Sequence, residues 1–116
     1  MAALGRRMAG DLGVACTITS HGDRLEALRG ADFVILSAAP EGRRRWLMDC
    51  AILEAAEMPG QRRECGALGG MSNALRAITL ALGVARDMER LCPQAVLLDV
   101  TNPMPRVVTA VNRFTQ

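Results

Sequence analysis

The chain has 116 residues, enough for one domain with a modest core, and half of them are hydrophobic, which excludes a disordered polymer. Its net charge of +2 comes from fourteen basic residues, all arginine, and the run Arg43-Arg44-Arg45 is too short and too poor in aromatic neighbours to predict nucleic acid as a partner. Four cysteines without a CxxC pair and one histidine, His21, exclude zinc-finger spacing. No apolar run of the ~18–20 residues of a membrane span, and no signal peptide, is apparent, so a cytoplasmic protein with reduced, mostly buried thiols and no membrane partner is expected.

In chain order, residues 2–12 read as an amphipathic helix with no capping residue ahead of it, and Val14 to Ser20 as a short β-prone run. Asp23 is placed to cap a short helix ending near Gly30. Residues 31–37 (Ala-Asp-Phe-Val-Ile-Leu-Ser) read as a buried strand that opens into the loop Ala38–Gly42. Residues 43–57 look helical, with Pro59-Gly60 as the stop. The clearest helix covers 71–91, where Met71, Leu75, Ile78, Leu82 and Ala85 form an apolar stripe widened by Ala74, Ala77, Ala81 and Val84.

The run from Ala95 to Thr101 has the apolar density of a strand covered on both faces, as in parallel sheets. Asn102 follows, placed to cap a helix over 104–114 with Pro103 at its first position. Ligands of open α/β sheets bind beyond the carboxyl ends of the strands, so Asn102 is a candidate ligand contact. Strands alternating with helices predict parallel pairing through right-handed crossovers.

Two segments, Gly30-Ala-Asp-Phe-Val-Ile-Leu-Ser37 and Cys92-Pro-Gln-Ala-Val-Leu-Leu-Asp-Val-Thr-Asn-Pro103, together resemble the lactate/malate dehydrogenase superfamily. Gly60-Gln61, Gly69-Gly70 followed by Ala74-Leu75-Arg76 and Ile78, and the run from Ala85 to Pro93 narrow the resemblance to glycoside hydrolase family 4, over about Leu12 to Arg113. The resemblance implies an NAD- and divalent-metal-dependent (manganese) glycosidase acting on a small-molecule glycoside. Such enzymes oxidise the sugar at C3, eliminate the glycosidic oxygen and add water, a route distinct from the paired-carboxylate mechanism.

The fold implied is α/β, a partial Rossmann-like parallel sheet holding strands 3 to 5 with flanking helices, so that 1–116 form a single incomplete NAD(P)-binding domain. The family's pyrophosphate-binding turn would precede residue 1, and its metal-binding Cys and His and its catalytic tyrosine would follow residue 116. The chain has no tyrosine, and no catalytic residue is assigned within it. The expectation is therefore a family 4 fragment inactive alone. A lactate/malate-dehydrogenase-like oxidoreductase fragment and a non-catalytic, self-associating α/β remnant are the alternatives, and a homo-oligomer is expected. In the strand order 3-2-1-4-5-6 the run 14–20 would be strand 3 and would lack its neighbour, so it should re-pair or be lost.

By the same resemblance Ala38, Ala39 and Pro40 would pass over NAD, although small residues suit any tight turn. Asn102 would contact the sugar or the nicotinamide ribose, or simply cap the helix. Arg45 is the candidate for a substrate phosphate. Aligned on Asp49 and Ile52, however, Trp46 takes the phosphosugar arginine's slot, and Arg45 sits one residue early, about 100° around the helix. Asp99 is expected to be a hydrogen-bonding partner at the strand end. Gly69-Gly70 could be an anion contact or a flexible helix start. Neither Cys65 nor His21 is placed to make a metal site.

Overall fold

The computed structural model describes residues 1–116 as a mixed α/β chain: α1 (Ala2–Asp11), α2 (Arg24–Leu28), β1 (Phe33–Leu36), α3 (Gly42–Ala55), a 3₁₀ turn (Pro59–Gln61), α4 (Ala67–Leu91), β2 (Val96–Asp99) and α5 (Met104–Phe114). β1 and β2 pair in parallel, Phe33 opposite Val96 and Leu36 opposite Asp99. The ladder is extended at each end by Val96 N–H to Asp32 O and Val100 N–H to Leu36 O, both 2.9 Å. Both crossover helices, α3 and α4, lie between the two strands in sequence, as a parallel pair requires.

Local rules place most of the boundaries. The Asp23 carboxylate accepts from Leu25 N–H at 2.9 Å and caps α2, and Gly30, at φ +69°, closes that helix in the left-handed conformation natural to glycine. α3 ends where Glu57 turns left-handed, ahead of Pro59.

α4 is the centre of the molecule. Its Ala74, Ala77, Ala81, Val84 and Met88 form the buried stripe, packed with Leu28 of α2, Leu36 of β1, Cys92 and Val107 of α5. The larger side chains expected on the core side do not lead it, since Met71 is 53% and Leu75 63% exposed. Alanines let the backbones of α2, α4, α5 and the sheet approach closely, whereas a leucine stripe would hold them apart. The helix also starts earlier than its periodicity predicts, at Ala67, which puts Gly69 and Gly70 inside its first turns. Both are buried. A Cβ on Gly70 would lie 2.7 Å from the Cys65 carbonyl carbon, and one on Gly69 would lie 3.0 Å from Gln61 O. The pair is thus a close-packing device against the 61–65 loop. By length and composition α4 is also apolar enough to cross a membrane, contrary to the expectation that no segment qualifies. Here it packs against α2, α3 and α5 and carries Arg76, which is paired to Asp49.

The run 14–20 forms no strand, one of the two outcomes expected for it, and lies along α1 with its Ile18 carbonyl accepting from Arg6 at 2.7 Å. Two expectations need correction. β1 and β2 are covered on one face only. Val34, Leu36 and Leu97 face the helices, while Phe33, Ile35, Val96, Leu98 and Val100 are open. Of the four free cysteines only Cys92 is buried, because Cys16 and Cys65 fall in irregular, solvated segments.

Candidate functional site

The carboxyl ends of the two strands are held together by one buried hydroxyl. Thr101 Oγ1 donates to Leu36 O at 3.1 Å and accepts from Ala38 N–H at 3.2 Å. Asp99 accepts from Thr101 N–H at 3.1 Å through Oδ1, the strand-end role expected of it, while its Oδ2 is buried without a partner. The side chain of Thr101 therefore sets where the chain goes after β1. Ala38 is pinned to β2, and Ala39 O accepts from Gly42 N–H at 2.9 Å, closing a turn through Pro40 and Glu41 that delivers the chain into α3.

Above this ledge lies a cleft of about 300 Å³ lined by Ser37, Ala38, Ala39, Glu64, Asn73, Val100, Thr101 and Asn102. It sits where α/β sheets place their ligands. Its volume is at the small end for ligand pockets, suited to one ring-sized group. Of the residues singled out from sequence, Ala38, Ala39 and Asn102 meet here, and half-buried Pro40 is the next residue along the loop. Asn102 does not cap α5. That helix begins at Met104 with Pro103 at its N-cap, and Pro103 is buried. The exposed Asn102 side chain is left free on the cleft wall.

Arg45 is not brought to the cleft. It turns back along α3 and grips Glu41 with two hydrogen bonds, Nε at 2.7 Å and a terminal nitrogen at 3.0 Å. That bond, with the charges of Arg45 and Arg44, holds the Glu41 carboxyl below its ordinary pKa, and Glu41 in turn raises that of the Arg45 guanidinium. Thr101, Asn73 and Glu64 were missed from sequence. Asn73 reaches the cleft from α4, its amide donating to Glu64 O at 3.4 Å. A polar residue on the helix turn that follows a Gly-Gly pair was the available clue.

Nowhere do three His, Cys, Asp or Glu side chains converge, so the residues here do not build a divalent-metal site. His21 is engaged at a distance from the cleft with Thr19 and Glu26. The small side chains of Ala38 and Ala39 in the cleft's lining leave room for a flat ring to approach the backbone, which fits part of a nucleotide. A second hollow, of about 310 Å³, lies around Cys92, Ala95 and Leu97 at the amino end of β2, away from the position where such sheets bind ligands.

The fold is that of an α/β protein with a cleft at the carboxyl ends of a parallel strand pair, the position where such sheets bind ligands. The family described as "Family 4 glycosyl hydrolase" matches residues 1–116, and the chain belongs to that family. It is 35% identical over 97 residues to an alpha-glucosidase of Erwinia rhapontici, covering 83% of this chain and 21% of that protein. It is 34% identical over 110 residues to the 6-phospho-beta-glucosidase of Escherichia coli, covering 95% and 24%. To a probable 6-phospho-beta-glucosidase of Bacillus subtilis it is 34% identical over 118 residues, covering 96% and 25%. The chain thus spans about a quarter of the length of the curated relatives it matches.

Proposed function

We infer that this chain serves glycoside cleavage of the family 4 type, in which NAD-dependent oxidation at C3 is followed by elimination and water addition. The observation that supports this most is the meeting of Ala38, Ala39, Asn73, Thr101 and Asn102 in one cleft, in a chain that matches the family along its whole length. What the cofactor supplies when bound is an acceptor for the C3 hydride, which acidifies the neighbouring C2 proton. The chain's own residues position the reacting groups. Ala38 and Ala39 keep the ledge free of bulky side chains, Thr101 fixes its height, and the amides of Asn102 and Asn73 offer donors and acceptors to ring hydroxyls. Arg45, engaged by Glu41, leaves the cleft without an arginine, so a sugar phosphate gains no contact from it here. On this reading the 116 residues bind but do not turn over substrate, and the working protein is cytoplasmic.

Titration of the isotopically labelled chain with NAD and, separately, with a methyl glycoside tests this by amide NMR. Shifts are expected at Ala38, Ala39, Thr101 and Asn102, with the glycoside response weakened by Asn102→Ala. No shift at millimolar ligand, or shifts confined to the hollow around Cys92, overturns the reading.

A further inference from the structure

The cleft at the strand ends has two walls that the chain reaches by different routes. Ser37, Ala38 and Ala39 form one, on the loop that leaves β1 and turns into α3, while Glu64 and Asn73 form the other, on α4 and the loop ahead of it. The second wall is a single piece, because the 61–65 backbone packs tightly on Gly69 and Gly70 and the Asn73 amide donates to Glu64 O at 3.4 Å. What joins the two walls is the contact between α3 and α4, and apolar packing does little to fix it. Leu53 is the one buried residue of α3. A hollow of about 130 Å³ lies beside it, lined by Asp49, Ile52, Leu53, Leu68, Gly69 and Ser72. A polar clasp spans the two helices instead. Asp49 of α3, its side chain 13% exposed, accepts from Ser72 Oγ at 3.1 Å and from Arg76 Nη2 at 2.5 Å. Arg76 also donates to Ser72 Oγ at 2.9 Å, which closes a ring of three side chains. The ring grips α4 at the turn that carries Asn73, since Ser72 is its neighbour and Arg76 lies about one turn beyond.

We propose that Asp49 is a positioning residue for the cleft, a role that rests on the cleft being the glycoside site. By holding Ser72 and Arg76 it sets how far Asn73 stands from the Ala38–Ala39 ledge, and so whether one sugar ring can touch both walls at once. Hydrogen bonds are intolerant of such a change: a displacement of about 1 Å takes a contact of ~2.9 Å out of bonding range. A ligand that needs only the ledge does not feel the displacement. One that bridges from the ledge to Asn73 loses a contact.

Amide NMR titration of the wild type, Asp49→Ala and Asp87→Asn with a methyl glycoside and with NAD tests the proposal, at a temperature where circular dichroism shows each variant folded. Asp49→Ala should bind the glycoside at least about fivefold more weakly, the loss of one hydrogen bond, and NAD within about twofold of wild type. Its Asn73 side-chain amide resonance should be displaced before any ligand is added. Asp87→Asn loosens the clasp between α2 and α4 instead and should leave both affinities unchanged, which separates positioning from lost stability. If Asp49→Ala does not fold, Ser72→Ala replaces it with the same expectation. Equal weakening of both ligands, or a glycoside affinity that Asp49→Ala leaves at the wild-type value, overturns the positioning role while the binding site stands. A wild type that binds no glycoside at the cleft overturns the reading of the site, and the positioning role with it.

Discussion

Replacing Thr101 with valine would remove one oxygen from the structure and keep its shape. The hydroxyl makes two hydrogen bonds across the strand ends, to Leu36 O and from Ala38 N–H, at a residue only 2% exposed. Leu36 O retains the Val100 N–H at 2.9 Å, so the carbonyl is still partnered. Ala38 N–H is left with no partner beside an apolar methyl group. Two net hydrogen bonds contribute about 1 kcal/mol each, and a stranded half-buried donor keeps the cost from being recovered, so Thr101→Val should destabilise by about 2 kcal/mol. Thr101→Ser keeps both bonds and loses one methyl group, about 0.8 kcal/mol. Urea unfolding of both variants, with amide exchange read at Ala38, measures the difference. Ala38 should exchange faster in the valine variant alone. If Thr101→Val lies within about 0.5 kcal/mol of wild type, or if the serine variant is equally destabilised, the hydroxyl does not hold the ledge and the cleft's floor is set some other way.

Asp87, buried in α4, is held by Arg24 of α2 and by Arg90. The hydrogen bond from Arg24, then that from Arg90, lowers its carboxyl pKa in the folded chain. Its contribution is therefore complete above the ordinary carboxylate pKa and is lost as pH falls through the lowered one. Asp87→Asn should flatten the acid limb of the stability–pH curve, and an unaltered limb counts against the clasp. Gly70→Ala puts a Cβ 2.7 Å from the Cys65 carbonyl carbon and should cost about 1–3 kcal/mol in a denaturation curve; a neutral result means the 61–65 loop yields freely. Arg76 joins α4 to α3 through a half-buried pair with Asp49, 2.5 Å at the shorter contact, and also donates to Ser72. Arg76→Lys cannot reproduce the two-nitrogen grip and should destabilise by about 1–2 kcal/mol, measured against Asp49→Asn in a double-mutant cycle that should show coupling.

Much was legible in the chain because short-range chemistry fixes it. Asp23 caps α2, Gly30 ends it, the Pro59-Gly60 turn follows α3, and the two apolar runs become parallel partners. The helix over 104–114 also stands where its pattern of valines placed it. Asn102 could be singled out because strand ends in α/β proteins are where ligands sit, and Ala38 and Ala39 because the family resemblance implies that their loop passes over the cofactor. The tertiary structure alone decided the rest. The β-prone run 14–20 lies along α1 and does not join the sheet, whose two strands pair only with each other. The buried face of α4 was settled by how closely partner backbones must approach, which favoured alanine over the larger side chains of the same helix. The diversion of Arg45 is the exception among these, since Glu41 lies only four residues before it and the pair is local. Thr101, whose hydroxyl joins segments more than sixty residues apart, owes its role to a contact that no local pattern encodes.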